Sequence, residues 1–229
     1  MQYTDTSLPS AYCVYVPLAV GTLTVIVNGY ETDFESQAKL LVDYLSGLSF
    51  LHEKVIMHRD ISMNNLAVAS FSNPRGIILD LDAATFDEFS GDHRKGTVLF
   101  LAPEIIELKR NPNAPEYGRS VDCFALGICM FSLSAGQEFR WKFFSTNGQA
   151  EFVTLQGHEE FTKRMLQKRN ACESAVHAAY YGILRVMTLY EAKDRVASGI
   201  AFEQAKSYFV EVRHGSIIPR RSRKRSFLD

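Results

Sequence analysis

The fold of this chain is decided by a short stretch, residues 57–65, which reads MHRDISMNN. Upstream of it, apolar residues recur at spacings of three and four, which predicts an amphipathic helix that begins within residues 32–36 and ends near His52. Downstream, two short strands are expected at residues 66–69 and 77–79, joined by the turn sequence NPRG. The stretch therefore lies in the connection between a helix and a strand pair.

An acidic residue closes the second of these strands, because residues 77–82 read IILDLD. The two stretches together resemble the catalytic loop (H-R-D-x-x-x-x-N) and the D-F-G element of protein kinases. The resemblance implies that Asp60 accepts the proton of a substrate hydroxyl, and that Asn65 and Asp80 hold a magnesium ion against the phosphates of ATP. It also implies that Ala67, which is smaller than the leucine usual there, lies in the floor of the adenine pocket.

Further elements follow in the order of the same family. Residues 96–104 read GTVLFLAPE and resemble the end of a kinase activation segment, and the apolar run 121–134 predicts a buried central helix. The resemblance pairs Glu104 with Arg195, and a buried charge requires such a partner. It also implies further roles: His58 as packed scaffolding, Arg59 as the partner of an activation-segment group, Asp122 as an acceptor for the catalytic-loop backbone, and Thr85 and Ser90 as candidate phosphosites.

Each element taken alone also has a structural explanation. Asp122 at the start of an apolar helix could serve only as an N-cap, and the Pro103-Glu104 pair could simply begin a helix. The D-x-D sequence at residues 80–82 could be a strand end followed by a turn. Five such elements in family order favour the kinase fold over these separate explanations.

Several positions depart from the family pattern. Asp82 stands in place of the D-F-G glycine, Leu81 in place of its phenylalanine, and Ser62 in place of the lysine that contacts the transferred phosphate in serine/threonine kinases. Loss of that lysine removes a positive charge from the transition state. Thr97, in contrast, matches the serine/threonine pattern. The Ile-Ser pair after Asp60, with D-x-D downstream, is similar to divergent serine/threonine kinase-like proteins common in fungi.

The amino-terminal part carries few of the features that a kinase small lobe should have. It has no G-x-G-x-x-G loop, and its lysines, Lys39 and Lys54, lie on the predicted helix and in the turn after it. We therefore expect an α+β protein, mainly an α-helical kinase-like large lobe with short strand pairs and the small lobe largely absent. The expected domains are a remnant of small-lobe strand and hinge (1–30), the large lobe (31–212) and a basic, disordered tail (213–229).

The overall composition is that of an ordinary globular protein. The formal net charge is −1, and 46% of the residues are hydrophobic, which gives no sign of a polyanionic partner. The uncharged segment 11–27 is interrupted by Pro17 and Gly21, which argues against a membrane span. The four cysteines form no C-x-x-C pair and are expected to be reduced. These features predict a cytoplasmic or nuclear protein with no membrane partner. The basic cluster at 219–225 could act in nuclear localisation or nucleic-acid binding, but it lacks the interleaved aromatic residues of a base-stacking surface, which argues against a nucleic-acid partner.

Three functions remain open at this point. The first is a protein serine/threonine kinase that uses ATP and Mg²⁺, incomplete in this chain and weak in nucleotide binding. The second is a non-catalytic pseudokinase that acts as an interaction module. The third is a small-molecule phosphotransferase, against which the A-P-E sequence and Arg195 argue. In the first two cases we expect a protein substrate or a partner that covers the apolar surface left by the missing small lobe.

Overall fold

The computed structural model describes residues 3–4, 12–13, 18–135, 154–172, 174–209 and 217–219. Helices dominate these residues and the strands are two or three residues long, which confirms the α+β, mainly helical class. The helices are α1 (Leu23–Gly29), α2 (Phe34–Glu53), α3 (Pro103–Arg110), α4 (Ser120–Ala135), α5 (Leu155–Asn170), α6 (Ala175–Met187) and α7 (Ser198–Phe209). The strands are β1 (Tyr3–Thr4), β2 (Tyr12–Cys13), β3 (Gly21–Thr22), β4 (Tyr30–Thr32), β5 (Leu66–Val68), β6 (Gly76–Ile78), β7 (Phe89–Ser90), β8 (Tyr117–Gly118) and β9 (Ile217–Pro219).

Helix α4 is the centre of the molecule, as the apolar run predicted. Every residue from 121 to 133 is buried, because helices pack against it on several sides. The closest approach is at Gly127, where an added Cβ would lie 2.5 Å from Cγ2 of Thr188. Only a glycine lets the end of α6 come this near to α4.

Helix α2 confirms the helix predicted before the catalytic loop. Its first turn is capped by Asp33, whose carboxylate accepts a hydrogen bond of 2.8 Å from the backbone N–H of Ser36. Its buried face carries Tyr44, whose hydroxyl donates to the carbonyl of Ala67 at 2.9 Å. Gly76 lies so close to the Tyr44 ring that an added Cβ would be 2.7 Å from it. These contacts fix the antiparallel sheet β3-β5-β6 onto α2.

Helix α1 corrects part of the prediction of strand and hinge within residues 1–30. Residues 23–27 are helical, although they read LTVIV and favour a strand by propensity. The reason is burial, since Leu23, Ile26 and Val27 lie on one helical face and are at most 2% exposed. Upstream of α1, the strands β1 and β2 pair antiparallel.

Strand β9 corrects the prediction of a wholly disordered tail. It pairs antiparallel with β4, so that Thr32 lies opposite Ile217 and Tyr30 lies opposite Pro219. The basic cluster that follows, at 220–225, lies outside the described residues. In the part of the chain that the structure describes, no helix has the length and apolar character needed to cross a membrane.

Candidate active site

The carboxylate of Asp60 is held in a fixed orientation by two neighbours. Its Oδ1 accepts hydrogen bonds from the backbone N–H and the hydroxyl of Thr97, at 2.8 and 2.7 Å. Its Oδ2 accepts from Nδ2 of Asn65 at 3.0 Å, and the same amide nitrogen donates to the Asp60 carbonyl at 2.9 Å. The structure therefore brings together the two catalytic-loop residues, and adds Thr97 to them.

The backbone that presents Asp60 is anchored to helix α4. The carboxylate of Asp122, which is 1% exposed, accepts from the backbone N–H groups of His58 and Arg59, both at 2.8 Å. Its Oδ2 also lies 3.0 Å from Nε2 of His52. These bonds hold Arg59 at φ 66°, a left-handed conformation that costs a non-glycine residue about 1 kcal/mol or more. Asp122 is thus more than a helix cap.

Asp80 lies beside the catalytic loop at the end of β6. The preceding residue, Leu79, donates its N–H to the Asn65 carbonyl at 2.8 Å, and its carbonyl lies 3.0 Å from Nε2 of His58. His58 is fully buried, so it acts as scaffolding between the loop and this strand. Asp80 itself is exposed at φ 63°, and its Oδ1 accepts from the N–H of Asp82 at 3.1 Å.

The oxygen atoms of Asn65 and Asp80 suit a magnesium ion. Both are hard donors, and the Asn65 amide gives its nitrogen to Asp60, which turns its oxygen to the other side. Among the described residues there is no cluster of three or more His, Cys, Asp and Glu side chains able to bind a metal. A site of two protein ligands nevertheless fits magnesium, which takes most of its other ligands from phosphates and water.

Arg59 contacts the segment between Asp80 and Glu104, which corresponds in position to a kinase activation segment. Its Nε donates to the carbonyl of Ala83 at 2.5 Å, and its Nη1 donates to the hydroxyl of Ser90 at 3.2 Å. Thr85 is held differently, by backbone bonds to Met57 and by its own hydroxyl, which donates to Asp87. Of the two candidate phosphosites, Ser90 is therefore the one in contact with Arg59, and it is 8% exposed.

Glu104 and Arg195 form the long-range ion pair that the sequence predicted. Nη1 and Nη2 of Arg195 donate to the two carboxylate oxygens of Glu104, at 2.5 and 2.7 Å. Arg195 also donates to the carbonyls of Leu189 and Tyr190, and its guanidinium lies 4.7 Å from the centre of the Phe124 ring. The pair ties the end of the activation segment to the loop before α7.

Two positions that the sequence analysis singled out, Ala67 and Ser62, are buried. Ala67 is fully covered by protein, so its contact with adenine stays a prediction. Ser62 is 1% exposed, and its hydroxyl makes no hydrogen bond to any part of the described chain. It offers neither the charge nor the reach of the lysine it replaces.

The buried thiols beside the site are structural. Burial raises the pKa of Cys123 to about 12, and the Asp122 charge adds to the effect. Burial raises the pKa of Cys129 well above its usual value, with a further contribution from Asp60. Both thiols stay protonated at neutral pH and are poor nucleophiles.

Sequence reasoning missed two side chains that support the catalytic loop. His52 was recognised only as the end of the helix before the catalytic loop, and Ser198 was not singled out. Their contact spans 146 residues of sequence, and neither belongs to a local motif that would have revealed it.

Comparison with known proteins gives the same picture. The protein kinase domain family matches residues 11–208, most of the chain. The chain belongs to the protein kinase family. The match includes residues 11–30, where the sequence shows few of the features of a kinase small lobe.

Several curated proteins are similar to this member of the family. A probable serine/threonine-protein kinase of Dictyostelium discoideum is 32% identical over 112 residues, covering 47% of this chain and 15% of that protein. The meiosis-specific serine/threonine-protein kinase mek1 of Schizosaccharomyces pombe is 36% identical over 107 residues, or 42% of this chain and 24% of that protein. The human CaM kinase-like vesicle-associated protein is 28% identical over 129 residues, or 55% and 24%. The chain thus aligns with a quarter or less of the length of these relatives.

Proposed function

We propose that this protein transfers the γ-phosphoryl group of ATP to a serine or threonine hydroxyl of a protein, with low affinity for the nucleotide. The observation that carries the proposal is the Asp60 carboxylate, fixed by hydrogen bonds from Asn65 and Thr97. A carboxylate held in this way can orient an incoming hydroxyl and accept its proton as the new bond to phosphorus forms.

The surrounding groups have separable roles in this reaction. Asp122 and His58 fix the loop, so that Asp60 needs little rearrangement when substrate arrives. Asn65 and Asp80 would hold Mg²⁺, which supplies charge neutralisation to the phosphates when it is bound. The Glu104–Arg195 ion pair favours a protein substrate over a small alcohol, because it supports the activation segment on which a protein would lie.

A non-catalytic role is the second candidate, and one specific observation favours it. The buried hydroxyl of Ser62 leaves the reacting phosphate without the cation that serine/threonine kinases supply from this position. In addition, Asp82 places a second exposed carboxylate two residues from Asp80. An apolar rim lies at the start of the described segment 18–135, where Leu18, Val20 and Val25 are 88%, 46% and 48% exposed. A partner that covers this rim is part of both proposals.

Nucleotide binding separates the two functions. The melting temperature of the full chain is measured with millimolar ATP and Mg²⁺, with Mg²⁺ alone and with ATP plus EDTA. An upward shift that requires both ATP and metal supports the kinase, because a ligand stabilises only the state that binds it. Absence of a shift contradicts the kinase proposal.

Phosphate transfer then tests the chemistry. Radiolabelled ATP is supplied with a mixture of basic, acidic and neutral proteins, and separately with small alcohols. We expect label on protein serine or threonine with the wild-type chain and none with Asp60→Asn. The matched control is Asp87→Asn, which removes an exposed carboxylate of the activation segment that contacts Thr85 and not the catalytic loop. Transfer to small alcohols alone would refute the choice of a protein substrate.

A further inference from the structure

A chain of hydrogen bonds runs from the amino end of α7 to the catalytic loop. The hydroxyl of Ser198 lies 2.8 Å from Nδ1 of His52, and Nε2 of the same ring lies 3.0 Å from Oδ2 of Asp122. Asp122 in turn accepts from the backbone N–H groups of His58 and Arg59. Three helices therefore contribute to the position of the loop: α7 through Ser198, α2 through His52 and α4 through Asp122.

The chemistry of these groups sets the direction of each bond for a neutral His52 ring. An ionised carboxylate only accepts, so His52 must donate from Nε2 to Asp122. In the neutral ring Nδ1 then carries no proton and accepts, and Ser198 donates its hydroxyl hydrogen to it. Ser198 is 3% exposed and Asp122 is 1% exposed, so these bonds are made inside the protein.

We propose that Ser198 is a positioning residue for phosphoryl transfer, which acts by holding the His52 ring in the orientation that donates to Asp122. The inference rests on the proposed kinase function. With both nitrogens bound, the ring plane is fixed by one partner on each side. Without the hydroxyl, only the bond to Asp122 restrains the ring. Nε2 of His52, which is the third donor to the Asp122 carboxylate, is then held less firmly in place.

The consequence reaches Asp60 through the backbone. Asp122 holds Arg59 in the left-handed region, at φ 66°, and Asp60 is the next residue. A carboxylate that is bound less firmly restrains this strained conformation less well, so the Asp60 side chain samples more positions. The Asn65 amide donates to Asp60, but the Asn65 backbone is also held by the bond from Leu79, and the Asp80 carboxylate is held by the N–H of Asp82. The effect should therefore fall on turnover and spare nucleotide affinity.

A cavity of about 380 Å³ lies beside the pair and is lined by both His52 and Ser198. Water can enter it and reach Nδ1 when the hydroxyl is removed. A mobile water molecule does not fix the ring as a side chain does, because it brings no covalent attachment to α7. The cavity thus gives a second outcome to look for, in which water replaces Ser198 fully.

The test combines kinetics with a signal from the ring itself. For Ser198→Ala in the full chain we expect kcat to fall about tenfold and KM for ATP to stay unchanged. A loss of this size is typical when a residue that orients a site residue, without contacting the ligand itself, is removed. The control is Ser207→Ala on the same helix, whose exposed hydroxyl contacts Gln204. In a His52→Phe background Ser198→Ala should have no further effect on kcat, because the ring through which Ser198 acts is absent.

Proton NMR supplies the readout that does not depend on activity. The wild-type spectrum should contain a downfield imidazole N–H signal that disappears in His52→Phe, and Ser198→Ala should broaden it by solvent exchange. An unchanged signal in Ser198→Ala, with unchanged kcat, would mean that water or packing orients the ring and would overturn the inference. A fall in kcat that persists in the His52→Phe background would also overturn it. A wild-type chain without kinase activity defeats the proposed function, and the NMR signal still decides whether Ser198 orders the ring.

Discussion

Replacing Arg195 by methionine should remove a large part of the free energy of unfolding. The side chain is fully buried, and it donates to both carboxylate oxygens of Glu104 and to the carbonyls of Leu189 and Tyr190. Methionine preserves much of the apolar volume but donates nothing. Breaking one member of a buried pair typically costs about 3–5 kcal/mol, because the other charge remains without its partner.

The magnitude follows from what is left behind. Glu104 is 20% exposed on its side chain, so water can reach it in part and its cost should lie towards the lower end of that range. The two carbonyls are each left with an unmet acceptor, at about 1 kcal/mol or more apiece. We therefore expect a loss of about 5 kcal/mol, out of the roughly 5–15 kcal/mol that stabilises a typical domain.

Urea unfolding followed by circular dichroism measures this loss. The matched control is Arg164→Met, which breaks an exposed pair with Glu160 and should cost about 0.5 kcal/mol or less. The double variant of Arg195 and Glu104, both to methionine, should lose less than the sum of the two single variants, since it leaves no unpaired charge. If Arg195→Met costs less than about 1 kcal/mol, or if the two changes add, then the pair contributes little to the fold and the reasoning is wrong.

The remaining predictions concern the site and its surroundings. Asp60→Asn should abolish phosphate transfer and leave the melting temperature within a few degrees of wild type, since the amide retains most of the shape. Gly96→Ala should destabilise the protein by about 1–3 kcal/mol, because its φ is 92° and an added Cβ would lie 2.8 Å from the Arg59 carbonyl oxygen. The control is Gly182→Ala in α6, where an added Cβ meets nothing within 4 Å. This substitution should stabilise the protein by up to about 1 kcal/mol in the same urea assay. Burial lowers the pKa of His158 from its usual value of about 6.5. Below that pH the unfolded chain binds a proton at His158 more readily than the folded chain does, so the free energy of unfolding should decrease as the pH drops below about 6.5. That part of the pH dependence should disappear in His158→Gln, and a slope that survives the substitution would assign it to other groups.

Much of the fold follows from local patterns in the sequence. Helix α2 was predicted because its apolar residues repeat at helical spacing, and α4 because a long apolar run can only be a buried helix. Helix α1 was not predicted, because residues 23–27 favour a strand locally and only the surrounding core makes them helical. Strand β9 was missed for a related reason, since its partner β4 is far away in sequence.

The candidate site divides in the same way. Asp60, Asn65 and Asp80 belong to motifs with characteristic spacing, so sequence alone proposes them as site residues, and the structure places Asn65 in contact with Asp60. The resemblance to kinases implied that Arg195 pairs with Glu104, and the structure shows the two side chains in contact. The support that Ser198 gives to His52 depends on where two distant helices meet, and no spacing in the chain encodes it.

The pairing of β9 with β4 has a practical consequence for anyone who shortens this protein. Removing residues 217–229 would uncover the backbone N–H and C=O groups of Tyr30–Thr32, just before α2 begins. An uncovered strand edge invites pairing with another molecule, so such a product would tend to aggregate even with its catalytic motifs intact. Expression of shortened versions should therefore retain Ile217–Pro219, and any purification handle is better placed beyond them.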